Sequence, residues 1–181
     1  MYSPVDKAFK LRLANIKLNG VSVPVYIADP DADIKKVVVP SITVSLYDTV
    51  NAPDREDNVP IITYNNAATP IWGYKKPSPE AWDLYYQITV YSGYESDDRS
   101  LMEQVHRTLP TKTYLNVTTM SATPVAKSYD MWRTGFIKAD IMGEKRLFKK
   151  ILSYVVAAEL DFEDVTTTKV VQERVIDLEQ I

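Results

Sequence analysis

Residues 82–91 alternate with a strict period of two. Trp82, Leu84, Tyr86, Ile88 and Val90 take one face, and Asp83, Tyr85, Gln87, Thr89 and Tyr91 take the other. Alternation in β-branched and aromatic residues predicts a long strand with an apolar underside and a semi-polar upper side. Ser92-Gly93 ends it, and the period then changes. Leu101, Met102, Val105 and Leu109 recur at helical spacing while Glu103, Gln104 and Arg107 face away, which predicts an amphipathic helix stopped by Pro110. Ser96 or Asp97 is placed to cap that helix, since either side-chain oxygen accepts from a free amide of the first turn. Asp97 and Asp98 also put negative charge at the positive end of the helix dipole. A strand, a short acidic loop and a helix laid back on the sheet are the expected centre of the fold.

Upstream, Ser3-Pro4-Val5-Asp6 reads as a helix start, with a capping serine, proline at the first helical position and a carboxylate three residues after the cap. Val5, Ala8, Phe9, Leu13 and Ile16 then share a helical face, although Phe9, Leu11 and Leu13 also alternate as a strand would. Asn19-Gly20 signals a tight turn, because both residues tolerate positive φ, and a strand over residues 22–28 should follow. Ile42, Val44 and Leu46 alternate with Ser41, Thr43, Ser45 and Tyr47 as a half-buried strand. Residues 48–60 are polar, hold two prolines and read as a surface loop. Residues 61–64 and 71–74 are short strand candidates around Asn65-Asn66, and the prolines of 75–79 bar that segment from the middle of a sheet.

Past Pro110, residues 113–118 suggest a strand, 119–127 a loop, and 129–140 a loose alternation around Trp132 and Gly135. Residues 147–160 mix periods, but Tyr154-Val155-Val156-Ala157-Ala158 favours a strand that closes the sheet. The expected fold is α+β: a mostly antiparallel twisted sheet with two helices packed on one face and extended loops or an arm. The expected organisation is a single domain over residues 1–160 and a C-terminal strand or hairpin arm over 161–181.

The aromatic strand ending in Tyr86-Gln87-Ile88-Thr89-Val90-Tyr91-Ser92, its Asp-rich loop and the helix of residues 101–110 resemble the tail-terminator and tail-completion (neck) proteins of tailed bacteriophages. A second stretch matches upstream: Asp29-Pro30, then Pro40-Ser41-Ile42-Thr43-Val44 leading to Asp48, with Arg55 soon after. The resemblance spans roughly the middle half of the chain and rests on hydrophobic placement. It implies a structural virion protein and not an enzyme: a homo-hexameric ring that caps the tail tube, ends its polymerisation and joins the tail to the head connector. The implied partners are further copies of the chain, the tail tube protein, a sheath where the tail has one, and the head–tail connector or a head-completion protein. DNA would pass through the lumen without sequence-specific binding. Synthesis in the bacterial host cytoplasm and residence in the virion tail or neck follow from the same resemblance. A neck or head-completion role, or a tube-like subunit, is the neighbouring alternative. A small ligand-binding domain or enzyme using His106 is the alternative of a different class.

Composition narrows the chemistry. The 181 residues are 45% apolar and 25% charged, ordinary for a globular domain of a size that buries about 70% of its unfolded surface. With no cysteine there are no disulfides and no thiolate metal sites. A net charge of −3 argues against a mainly electrostatic nucleic-acid binder, and no apolar run approaches a membrane span.

Asp29, Asp31 and Asp33 have the spacing that opens a calcium loop, but Ile34 stands at the glycine position and Pro40 at the bidentate glutamate position, so a solvated turn is the better reading. His106 is the one histidine, and no nucleophile motif, phosphate-cradling glycine loop or zinc-helix motif accompanies it. No cofactor and no metal are expected. Asn116-Val117-Thr118 matches a glycosylation sequon, read as chance for want of an export signal. Lys145, Arg146, Lys149 and Lys150 surround Leu147-Phe148 as a basic cluster, expected on a solvated strand edge. The interface candidates are the charged run Asp54, Arg55, Glu56 and Asp57, the upper-face Tyr85 and Tyr91, and Val165, Thr167, Lys169 and Val171, which alternate along the terminal segment.

Overall fold

The computed structural model of the protein describes residues 3–27, 38–56, 61–65, 72–76, 79–118, 126–141 and 146–160. The sequence-stretch readings on residues 28–37, 57–60, 119–125, 142–145 and 161–181, including the acidic loop around Asp31, Asp57 and the terminal arm, lie outside these residues. The chain opens with α1 (Ser3–Leu13), whose Val5, Ala8, Phe9 and Leu13 are all buried, together with the following Ile16. The helical alternative therefore prevails over the alternating one, and Leu11 is left exposed. Next comes a hairpin of β1 (Lys17–Leu18) and β2 (Val21–Ser22), paired Lys17↔Ser22 and Leu18↔Val21. Asn19 and Gly20 turn it with φ of 52° and 82°, the left-handed pair that a two-residue hairpin requires.

The single strand expected at 22–28 is divided. Pro24 has no N–H to give a ladder, so β2 stops at Ser22 and β3 resumes at Val25–Ile27, while the Pro24 carbonyl accepts from the Ile42 N–H at 3.0 Å. β4 (Ser41–Asn51) also departs from expectation. Residues 48–51, read as the start of a loop, continue the strand, because pairing with the long β7 (Glu80–Ser92) runs from Ser41↔Tyr91 to Asn51↔Trp82. A one-residue bulge at Tyr47 takes up the slip in register. A 3-10 turn at Pro53–Arg55 follows, and β5 (Ile61–Asn65) and β6 (Trp72–Lys76) pair as an antiparallel hairpin.

α2 (Glu95–Thr108) starts earlier than the sequence suggests, with Tyr94 at the N-cap and no side-chain cap; neither Ser96 nor Asp97 fills that role. β8 (Lys112–Thr118), β9 (Ala126–Lys138) and β10 (Phe148–Leu160) complete a strongly curled six-stranded sheet in the order β3-β4-β7-β10-β9-β8. The β3–β4 pair is parallel; β4–β7, β9–β10 and β8–β9 are antiparallel. β10 does not close the sheet. It runs through the middle between β7 and β9, and Tyr154, Val155 and Val156 are buried in succession; a strand covered on both faces loses its alternation.

Both helices pack on one face of this sheet. Leu84, Tyr86, Ile88 and Val90 of β7 share a core with Leu101, Val105 and Leu109, and with Phe9 and Leu13 of α1. Burying each such side chain contributes about 1.5–3 kcal/mol, so the stripe read from the sequence is the main reason α2 stays down. Polar tips of core residues fix the angle. The Tyr86 hydroxyl donates to Asp6 Oδ1 at 2.8 Å, its ring meets Phe9 at 4.7 Å, and the buried Tyr154 hydroxyl donates to the Leu109 carbonyl at 2.6 Å. Two compact units result: one of residues 1–51 and 82–158, and a second that includes the described residues 52–56, 61–65, 72–76, 79–81 and 159–160.

Candidate functional site

An association surface needs either free backbone edges or exposed apolar side chains, and the fold distributes the two differently. One edge of the six-stranded sheet is β8. There Arg12 of α1 donates to the Tyr114 carbonyl, to Thr113 Oγ1 at 3.0 Å and to the Thr108 carbonyl at 2.9 Å, so a helix side chain occupies the edge. At the other edge, among the described residues, β3 covers β4 as far as the Ile27↔Val44 pair. Beyond it lies the bulge at Tyr47, and Asp48 Oδ1 accepts from the Thr49 N–H at 2.8 Å. A bulge, a charge and a self-capped amide are devices that keep an edge from templating another strand.

Exposed apolar side chains are gathered elsewhere. Tyr47 and Val50 stand out at the end of β4, with Tyr85 half-buried beside them and its ring edge-on to Tyr47 at 6.1 Å. Phe136, Ile137 and Ile141 are exposed where β9 runs toward β10. Of the expected interface residues, Asp54 and Arg55 are exposed on the 3-10 turn and Glu56 is half-buried after it, its N–H bonded to the Pro53 carbonyl at 3.1 Å. Tyr91 is not available: it is buried, burial pushes its hydroxyl pKa up despite a hydrogen bond with Thr43, and Lys149 lies 5.9 Å above its ring. The upper face of β7 is semi-polar only in its first half; Thr89 and Tyr91 are covered. Asp57, Val165, Thr167, Lys169 and Val171 lie outside the described residues.

The basic cluster is split as well. Arg146 is exposed, but Lys150 is buried and not on a solvated edge. Its Nζ lies 2.6 Å from Asp140 Oδ1 and 3.0 Å from Asp98 Oδ2, and Lys138 approaches Asp140 Oδ2 at 3.4 Å. Burial pulls the Lys150 pKa down, but the hydrogen bonds and charges of Asp140 and Asp98 outweigh it and hold it above the ordinary lysine value. Burial likewise pushes Asp140 up, and Lys150 together with the Lys149 N–H more than offsets this, leaving the carboxyl below its usual range. The sequence offers little warning of this network, since Asp98 and Lys150 lie on separate elements and each reads as a surface charge.

His106 is exposed at the end of α2, where Nδ1 accepts a hydrogen bond from Arg133 Nη1 at 2.7 Å. Partial burial and the Arg133 charge both hold the imidazole below its ordinary pKa. Arg133 also donates to Thr111 Oγ1 at 2.9 Å, so His106 belongs to a clasp joining α2 to β9. The exposed Asn116 accepts from Ser128 Oγ across the β8–β9 pair. Among the described residues, no group of three or more histidine and carboxylate side chains is arranged to hold a metal ion. A scan against models of known protein families gives no match, and neither does a search of curated proteins.

Proposed function

We propose that the chain is a virion structural protein of a tailed bacteriophage, a tail terminator that assembles as a ring on the last ring of the tail tube. The observation carrying this reading is that the two stretches of resemblance, distant in sequence, are adjoining pieces of one surface-to-core unit. Residues 41–48 form β4, residues 82–92 form β7, and the two pair directly before α2 folds back on them. The polypeptide would then act by recognition alone: its ring stops tube growth and presents a surface to the head connector. The tube protein, a sheath where the tail has one, and a connector or head-completion protein would be its neighbours. DNA passing through the ring would favour a neutral or acidic lumen, along which it slides without sticking.

Labelling tests the reading. Purified chain carrying a gold tag, added to tail tubes polymerised in its absence, should mark one end only and stop further growth at that end. Label spread along the tube, found on heads alone, or absent while tubes keep growing would overturn it.

A further inference from the structure

Two exposed apolar patches lie at diagonally opposite corners of the six-stranded sheet, and they carry opposite charge. The first is on β4 and β7, where the register pairs Val50↔Asp83 and Asp48↔Tyr85 place these four side chains on the face away from the helices, beside Tyr47. Tyr47 and Val50 are 45% and 44% exposed toward the end of β4, and their charged neighbours are Asp48 and Asp83. The second is the outer end of the β9–β10 ribbon. Phe136 and Ile137 point to opposite faces yet are 50% and 57% exposed, and Ile141 is 42% exposed, although the Phe136 ring still meets His106 of α2 at 6.2 Å. Its charged neighbours are the exposed Arg146, the half-buried Lys149, and Lys138, whose ammonium also lies 3.4 Å from Asp140 Oδ2.

The strands set these patches apart. Lys149 over Tyr91, and Lys150 on Asp98, tie the start of β10 to the far end of β7 from residues 82–85. The sheet order adds the width of β7 and β10 between β4 and β9. One copy therefore cannot bring its own patches together.

We infer that the β9–β10 ribbon tip of one copy docks on the Tyr47–Val50–Tyr85 corner of the next, which makes the contact between copies head-to-tail. The inference rests on the ring reading above and names the surfaces that build the ring. Tip against tip would oppose Lys138, Arg146 and Lys149 to themselves, and corner against corner would oppose Asp48 and Asp83, whereas tip on corner pairs the two signs around an apolar centre. Two different complementary patches on every copy are what a heterologous, ring-closing contact requires. Arg12 on β8 and the Asp48 cap on β4 guard the backbone at those positions, so side chains carry this joint.

The test is a mixing experiment read by light scattering after gel filtration. The parent chain should associate beyond a dimer. Ile137→Asp spoils the tip and Val50→Asp spoils the corner; each variant alone should stay monomeric with unchanged circular dichroism. Mixed, they should form a one-to-one dimer and stop, since only one sound tip and one sound corner remain in each pair. A chain without native cysteine allows a second arm. Ile137→Cys with Val50→Cys in one chain should give an oligomer ladder with a bismaleimide, and either cysteine alone should not. Variants that assemble like the parent, a mixture that stays monomeric, or single cysteines that cross-link as well as the pair would overturn the docking while leaving tube capping untouched. A parent chain that remains monomeric at high concentration would also overturn it, and tube labelling would then decide the ring reading separately.

Discussion

Lys150 on β10 reaches Asp98 in the first turn of α2 at 3.0 Å, so a buried ammonium fastens the helix to the middle of the sheet. Asp140 shares the same ammonium at 2.6 Å, and each carboxylate keeps one oxygen without a hydrogen bond, Asp98 Oδ1 and Asp140 Oδ2. Removing the lysine would leave two buried carboxylates facing each other. Lys150→Met should cost about 3–5 kcal/mol in urea unfolding. Lys149→Ala, one residue away and half-buried, should cost far less. The triple change Asp98→Asn, Asp140→Asn and Lys150→Met should recover most of the loss, because a neutral replacement of a buried ion network is often close to neutral overall. Equal effects at positions 149 and 150 would show that the network contributes little.

The same network sets the response to acid and base. Asp140 has a folded pKa below its unfolded one, so its contribution is present above about pH 4 and is lost as pH falls through the lowered folded value. Lys150 has a raised folded pKa, so its contribution is full below about pH 10.4 and disappears as pH rises beyond the folded value. Urea midpoints measured from pH 2 to 12 should therefore drop at both ends. Asp140→Asn should flatten the acid limb, and an unchanged acid limb would remove Asp140 from the account.

His106 should be dispensable for assembly but visible in the pH profile. Its folded pKa is lowered, so the folded state binds fewer protons and stability falls as pH drops through about 6.5 and below. His106→Gln should abolish that slope while rings and tube capping persist. A stable, correctly folded glutamine variant that no longer caps tubes would revive a chemical role for the imidazole.

Leu101 has no exposed surface and belongs to the stripe that joins α2 to the sheet. Leu101→Asp should cost upwards of about 3 kcal/mol, since an unpaired carboxylate would enter an apolar core. Leu101→Ala should cost about 2–5 kcal/mol. Parent-like urea midpoints for both would contradict the packing.

What the sequence disclosed follows from period. Strict alternation in residues 82–90 and the Leu101–Leu109 stripe name core faces directly, because one face of each element is covered and the other is not. β10 was legible only as a strand, since Tyr154, Val155 and Val156 are buried in succession and the order of strands in a sheet leaves no periodic trace. Polar residues misled where pairing overrode composition: Asp48 and Thr49 sit in β4 because β7 is long enough to hold them. Charges misled where a partner lay far along the chain, as Lys150 and Asp98 do. The exposed Phe136-Ile137 pair had no signal of its own, since a hydrophobic residue in a strand announces burial and the sequence does not say where a ribbon leaves the core.

The terminal segment gives the last prediction. Val165, Thr167, Lys169 and Val171 alternate as a strand would, and a strand needs a ladder partner. On the six-stranded sheet β8 is guarded by Arg12 at the Tyr114 carbonyl and the far end of β4 by its bulge and the Asp48 cap on Thr49. The β5–β6 hairpin has only two strands among the described residues, so its outer backbone groups are the better acceptor. If the acceptor is on a neighbouring copy, deleting residues 165–181 should leave circular dichroism and the urea midpoint near those of the parent while ring formation and tube capping fail. If the acceptor is the chain's own hairpin, the truncated protein should instead lose stability, and Ile62→Pro on β5 should produce the same loss in the full-length chain. Normal assembly by the truncated protein at parent stability would show that the segment pairs with neither.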